Sequence, residues 1–281
     1  MSKLVYVNDN GRSIEFSLAS GYVIGKLSDP SSQAVSFSTS AGAYDVGVAI
    51  EAQNVGAKSI SISGTLVGAC DDKKADLLKT IVPMIGASII LDDMYTLRVY
   101  PKNTPVVERY SHNAQFNFTL YAPFPYWSSV TPTSVDLMGI NKMFMFPWNS
   151  GIDFYFSQVS GSYYVNAYNE GSVPSRWKIE LMALSPLTNP KIENVKTGDY
   201  VRILKSMTTG ERIVIDTTGA ELTVKGYLPS GVEYQAFSYL DINSTPFQLD
   251  VGDNLIKADC AANRAGLSAK LIMTACYAGV A

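Results

Sequence analysis

Neighbouring carboxylates, one histidine and three cysteines are the side chains of this sequence whose types could do chemistry. Two acids about 5 to 9 Å apart can hydrolyse a glycosidic bond, and the candidates are Asp71 with Asp72, Asp92 with Asp93, and Asp250 with Asp253. The first pair opens a helical run and suits its cap, while the other two sit in turn-like contexts where Asp stabilises the backbone locally. Asp250, Asp253 and Asn254 could hold calcium, but Gly252-Asp253-Asn254 also reads as an ordinary turn. His112 lies beside a strand-like run without a nucleophile motif, and serine or cysteine hydrolysis needs an oriented base. Cys70, Cys260 and Cys276 have no CxxC spacing and read as buried free thiols rather than a disulfide or zinc ligands. Ser20-Gly-Tyr-Val-Ile-Gly-Lys-Leu27 approaches a phosphate loop, yet it lacks the first glycine at the required spacing, and Leu27 replaces the magnesium-binding hydroxyl. Asn117-Phe-Thr119 and Asn243-Ser-Thr245 match the glycosylation pattern, which carries weight only in a secreted protein. The sequence therefore assigns no catalytic, cofactor-binding or metal-binding residue, and no enzyme is expected.

The elements that would position these groups come from a chain of 281 residues, long enough for two β domains with separate cores. Apolar residues make up 47% and charged ones 17%, so the chain folds, and its modest charged surface leans toward an oligomer. A net charge of -3 argues against a nucleic-acid binder, which would show a basic patch. The opening MSKLVYVNDNG reaches a turn before an apolar core forms, and no apolar run approaches the roughly 20 residues of a membrane span. A soluble protein made in a cytoplasm, with no membrane partner, is expected.

Short alternating runs separated by Gly, Asn, Asp, Ser and Pro dominate. Lys3–Val7 and Ser13–Ser17 flank Asn-Asp-Asn-Gly11 as an explicit hairpin. Ser59–Ser63, Thr96–Tyr100 and Ala114–Leu120 each present one apolar and one polar face. From Asp71 to Gly86 the period becomes helical, with Leu78, Ile81, Val82 and Ile85 on one face and Pro83 limiting the last turn. Tyr121-Ala-Pro-Phe-Pro-Tyr-Trp127 reads as an aromatic plug, and the following Ser/Thr run as a domain boundary. Beyond it lie Met143–Phe146, Phe154–Phe156 and Trp177–Leu181. A three-strand meander is expected over Tyr200–Leu204, Glu211–Asp216 and Glu221–Lys225, with closing strands at Leu255–Lys257 and Lys270–Thr274. The expected organisation is an N-terminal β domain over 1–132 with one helix, and a C-terminal β-sandwich or jelly roll over 133–281.

The string Asn189-Pro-Lys-Ile-Glu-Asn-Val-Lys-Thr-Gly-Asp-Tyr-Val201 resembles the C-terminal meander of distal tail proteins of long-tailed, non-contractile bacteriophages. The pattern continues through Gly210–Asp216, Tyr239–Leu249 and Val251–Ile256, and Leu271–Val280 resembles the family's last strand. The N-terminal half matches more loosely, through Tyr6, Asn8 and Gly11, the single helix and the Pro-Phe-Pro-Tyr-Trp exit. The middle, roughly 128 to 175, departs most. This resemblance implies a virion protein at the phage tail tip, a baseplate hub forming a homo-hexamer around a DNA channel. The ring would be built by the N-terminal domain with a protruding hairpin, here about Leu27 to Glu51, and a galectin-like jelly roll would lie outside it. The implied partners are a tail tube protein on one face, a tail-associated protein on the other, and receptor-binding proteins. DNA would pass without sequence-specific binding. An alternative is a carbohydrate-binding sandwich that stacks cell-wall glycans on Trp148, Tyr155, Tyr163, Tyr164 or Trp177. A cell-wall hydrolase, which would need an acid pair in a cleft, ranks last.

Overall fold

The computed structural model describes residues 3–28, 35–41, 46–68, 70–110, 113–138, 140–141, 158–159, 164–219 and 221–280. Two compact units emerge, Met1–Thr131 with Cys276–Ala281, and Pro132–Ala275.

The first unit opens with strands β1 (Leu4–Asn8), β2 (Ser13–Phe16) and β3 (Tyr22–Leu27). The β1–β2 turn is held by Asn8, whose Oδ1 accepts the amides of Asn10 at 3.1 Å and Arg12 at 2.9 Å, with Gly11 at φ 79°. Next come β4 (Val35–Ser40), β5 (Ala49–Val55), β6 (Lys58–Leu66) and helix α1 (Cys70–Thr80). They are followed by β7 (Ala87–Leu91), β8 (Tyr95–Pro101), β9 (Val106–Tyr110), β10 (Asn113–Ala122) and β11 (Trp127–Ser129). The main sheet runs β2-β1-β7-β8-β10-β6-β3, with β9 added on β10 and β11 on β8, so among the described residues β2 and β3 end its main path. Alternation sends Tyr6, Ile60, Ile62, Ile89, Phe116 and Phe118 into one core, where Phe16 meets Phe116 and Phe118 at ring distances of 5.9 and 6.0 Å. Trp127 is buried in the same core, so the aromatic exit does plug the end of this unit.

The helix is shorter than its periodicity suggests. It stops at Thr80, and Ile81 makes one last bond to the Leu77 carbonyl at 2.9 Å, because Pro83 has no amide to continue the ladder. The buried stripe is Leu77, Thr80 and Ile81, one position off the expected face.

The second unit contains β12 (Thr133–Asp136), β13 (Ile140–Asn141), β14 (Gln158–Val159), β15 (Val165–Asn169), β16 (Trp177–Ala183) and β17 (Leu187–Asn194). The series continues with β18 (Tyr200–Arg202), β19 (Ser206–Met207), β20 (Arg212–Asp216), β21 (Thr223–Tyr227) and β22 (Glu233–Gln235). Strands β23 (Gly252–Ala262) and β24 (Leu267–Met273) complete it. Two antiparallel sheets, β12-β24-β16-β20-β21-β22 and β15-β23-β17-β18 with β19 on β17, share one core and make the expected sandwich. Ile179, Leu181, Ile213 and Leu271 enter it from one sheet, and Ala167, Ile192, Val201 and Ile256 from the other.

Two expectations need correction. The meander is split: β18 pairs with β17 in one sheet, whereas β20 and β21 pair in the other, and the short β19 intervenes. The final run also divides, because β24 ends at Met273 and β25 (Cys276–Tyr277) pairs with β11 in the first unit, Trp127 opposite Tyr277. Residues Cys276–Ala281 thus leave the C-terminal unit to which the sequence reading assigned them. The expected strands Met143–Phe146 and Phe154–Phe156 lie outside the described residues.

Candidate assembly surfaces

Each carboxylate pair is tied into local architecture. Asp71 and Asp72 occupy the first turn of α1, and Asp71 meets Arg109 at 3.3 Å on the surface. Asp92 and Asp93 form the β7–β8 turn at φ 51° and 56°; Asp92 accepts the Lys3 amide at 2.6 Å and Asp93 pairs with the Lys3 ammonium at 3.0 Å. Asn254 is buried and organises the turn before β23, donating to the carbonyls of Ala167, Asp250 and Gly252, while Asp253 accepts from Asn166 at 2.6 Å. Among the described residues, no group of three or more His, Cys, Asp or Glu side chains could hold a metal ion. His112 lies outside them. Cys276 is buried, but Cys70 and Cys260 are only half-buried, and none of the three forms a disulfide. The glycines around Tyr22 lead into strand β3, not a helix, so no helix amino terminus is available to cradle a phosphate.

Trp177 is fully buried, stacks on Phe247 at 5.1 Å and donates its indole hydrogen to the Phe247 carbonyl at 2.8 Å. It belongs to the core and cannot serve as a sugar platform. Tyr164 is exposed, while Trp148, Tyr155 and Tyr163 fall outside the described residues.

The surfaces that stand out are in the first unit. Strands β4 and β5 form a two-stranded sheet of their own, and nearly every residue in it is exposed. Register places Val35 opposite Val55, Phe37 opposite Gln53 and, past a bulge, Thr39 opposite Ile50. That side of the ribbon carries Val35, Phe37, Ile50 and Val55 beside Thr39 and Gln53, with Phe37 56% and Ile50 61% exposed, and Val46 and Val48 just before β5 are exposed as well. The ribbon reaches Val55, four residues past the expected end of the hairpin. The signal was present in Val35-x-Phe37 and Val46-x-Val48-x-Ile50, where strand-period alternation is masked by Ser and Ala. A second feature is a groove of about 680 Å³ between the end strands β2 and β3, lined by Phe16, Leu18, Val23, Ile24 and Leu27, with Lys3 and Glu15 at its rim.

In the second unit, buried charge fixes the connections between strands. Burial alone would push the Glu211 carboxyl up, but the Lys205 ammonium, the Tyr234 hydroxyl and the Thr208 amide together hold it below its ordinary value. Lys205 and Tyr234 each reach Oε1 at 2.5 Å, and the Thr208 amide reaches Oε2 at 3.0 Å. Burial and the adjacent Glu211 carboxylate raise the Tyr234 hydroxyl. Asp241 is held low by the Asn243 amide and by Arg202, whose Nε donates at 2.7 Å. Backbone bonds from Leu204 to Tyr239 and from Asp241 to Arg202 dock the same loop onto β18.

Comparison with known proteins follows this geometry. Residues 170–268 match the family described as siphovirus-type tail component, C-terminal domain. No curated protein matches the sequence. Among solved structures, the chain is similar to the Dit protein of SPP1, described as a paradigm of the hub adsorption apparatus in phages infecting Gram-positive hosts. That likeness has a TM-score of 0.69 at 10% identity and covers 97% of this chain and 98% of that one. It is also similar to chains of the phage P2 baseplate in its activated conformation, with calcium (TM-score 0.55, 10% identity) and with strontium (0.53, 9%), each over the full length of both chains. Residues 170–268 thus carry the siphovirus-type tail component domain, and along its length the chain has the fold of a distal tail protein, the Dit family that its sequence resembles.

Proposed function

We propose that this chain is a structural hub of a phage tail tip, working through surfaces rather than catalysis. In this reading six copies close into a ring that joins the tail tube to tail-associated and receptor-binding proteins and leaves a channel for DNA. The protein is made in the host cytoplasm and ends in the virion. The observation that carries the reading is the β4–β5 ribbon. An isolated two-stranded ribbon is marginally stable in water, and a contiguous exposed apolar strip marks a surface that is covered in use. A ring needs two different patches per subunit, one donating and one accepting, closed by rotation. The ribbon supplies the donor. The family match and the SPP1 and P2 likenesses support the hub context, and the count of six is what the sequence resemblance implies. Light scattering of the purified chain tests this reading: a mass six times 30.5 kDa, or a multiple of that assembly, is expected, and a strict monomer at high concentration would overturn it.

A second reading, glycan binding by the C-terminal unit, rests on Tyr164 and Tyr168. They are 50% and 59% exposed and lie two strand periods apart at the sheet edge formed by β15. Binding on an array of bacterial cell-wall glycans, lost on Tyr168→Ala, would support it; silence across the array would remove it.

A further inference from the structure

We propose that a strip at one end of the first unit, running from Met84 through Arg98, Tyr100 and Tyr121 to Lys102, docks an acidic surface of a different protein. The inference rests on the hub reading above for the existence of such a partner, and it assigns the face that would hold it. The strip can be followed residue by residue. Met84 lies two positions before Gly86, whose missing Cβ leaves room for the Arg98 guanidinium and the Asp9 carboxylate. Arg98 and Asp9 form a two-point pair at 2.5 and 2.6 Å, and the same guanidinium lies over the Tyr100 ring at 5.5 Å. Tyr100 on β8 stands directly opposite Tyr121 on β10, and Lys102 covers the Tyr121 ring at 5.9 Å. Both tyrosines are exposed. Beyond Tyr121 the row continues to the uncharged Ser59 on β6.

Cross-strand tyrosines flanked by cations are an ordinary way to stabilise a sheet. Met84 is what that explanation leaves out. Pro83 and Met84 are the central residues of a turn in which the Ile85 amide donates to the Val82 carbonyl at 3.4 Å, and Met84 takes φ 71°. This is the position of a type II turn where glycine is unstrained and a residue with a Cβ is not. Met84 is also 94% exposed, so its side chain adds no packing to its own subunit. A strained residue whose side chain does nothing within the subunit points to a role at the surface. Methionine, tyrosine and arginine are the residue types that protein interfaces concentrate. Charge sets the partner's chemistry. Asp9 is the strip's one carboxylate and is matched by Arg98, which leaves Lys102 in excess. Lys79 and Arg12 bring two more cations to the same end, because the Asn8 side chain bonds both the Thr80 carbonyl beside Lys79 and the Arg12 amide. Among the described residues none of these three forms an ion pair. The acid clusters of this unit already hold cations of their own, Arg109 at Asp71 and Lys3 at Asp93, so the complementary acids come from a different chain.

Cross-linking in tails purified from the virion tests the strip. An encoded benzophenone amino acid in place of Met84 is photo-activated, and a zero-length carbodiimide is applied separately to unmodified tails. The expected results are a benzophenone adduct to a different protein, and an amide joining Lys102 or Lys79 to an aspartate or glutamate of that same protein. An adduct to a second copy of this chain or to DNA, or no adduct, overturns the proposal. So does a carbodiimide product in which both lysines stay uncoupled or couple only within this chain. Met84→Gly gives an independent readout on the purified chain. Its Tm is expected to rise, because the strain at φ 71° is released. A fall would overturn the proposal by showing that Met84 holds its own subunit together. Absence of this chain from purified tails would instead defeat the hub reading itself, so the two failures are distinguishable.

Discussion

Burying the Glu211 carboxylate would be costly if its oxygens lacked partners, and Lys205, Tyr234 and the Thr208 amide occupy both of them. Removing one member of a buried pair leaves the other uncompensated, so Glu211→Ala is expected to cost about 3 kcal/mol, measured by urea denaturation. A loss below about 1 kcal/mol would contradict this role. The carboxyl is held below its ordinary value in the folded state, so its contribution is present above the unfolded value of roughly 4.3 and is lost as pH falls through the folded value. Wild type should therefore lose part of its stability on acidification below that range. Glu211→Gln should show a shallower acid slope, and equal slopes would contradict the account. Gly64 is constrained by space, because an added Cβ would lie 2.1 Å from the Val23 carbonyl and 2.7 Å from the Phe116 ring. Gly64→Ala is expected to destabilise the first unit by about 2 kcal/mol, read as a lower Tm; an unchanged Tm would show that β3 yields freely.

At the level of elements, the ribbon makes the sharpest demand. Its apolar side chains are exposed in the single chain, so replacing Phe37 and Ile50 by Ser should change the subunit's own stability by less than about 0.5 kcal/mol. The same change should abolish the higher-mass species in size-exclusion chromatography. Retained assembly in the double variant would mean the ribbon is not the donor patch. Strands were the most legible elements, because one-sided burial writes itself as alternation in Ser59–Ser63 and Ala114–Leu120. The Asn8–Gly11 turn was legible for a related reason, since positive φ restricts residue choice. What stayed hidden depends on partners distant in sequence. Tyr200–Leu204 looks like the first strand of a meander, yet its alternation fits either sheet of a sandwich, and only pairing with Lys191–Glu193 decides. Helix α1 ended early because a single proline outweighed an apolar period that continued to Ile85. The ribbon was placed by resemblance, and its apolar side escaped notice because Ser and Ala dilute it. Of the aromatic residues considered for sugar stacking, Trp177 shows how residue type fails without burial.

For the whole molecule, two units with separate cores divide the labour in this account. The C-terminal unit carries the family match, and buried ion pairs fix its loops. The N-terminal unit carries the end strands of its sheet, the groove and the ribbon from which a head-to-tail interface can be built. Closure into a ring, as proposed, would remove the ribbon's exposed Phe37 and Ile50 from water. The central claim is that assembly closes. Single-particle electron microscopy of the purified, untagged chain tests it most directly: class averages with six-fold symmetry and a central hole are the expected result. Monomers alone, or open filaments without closure, would contradict it.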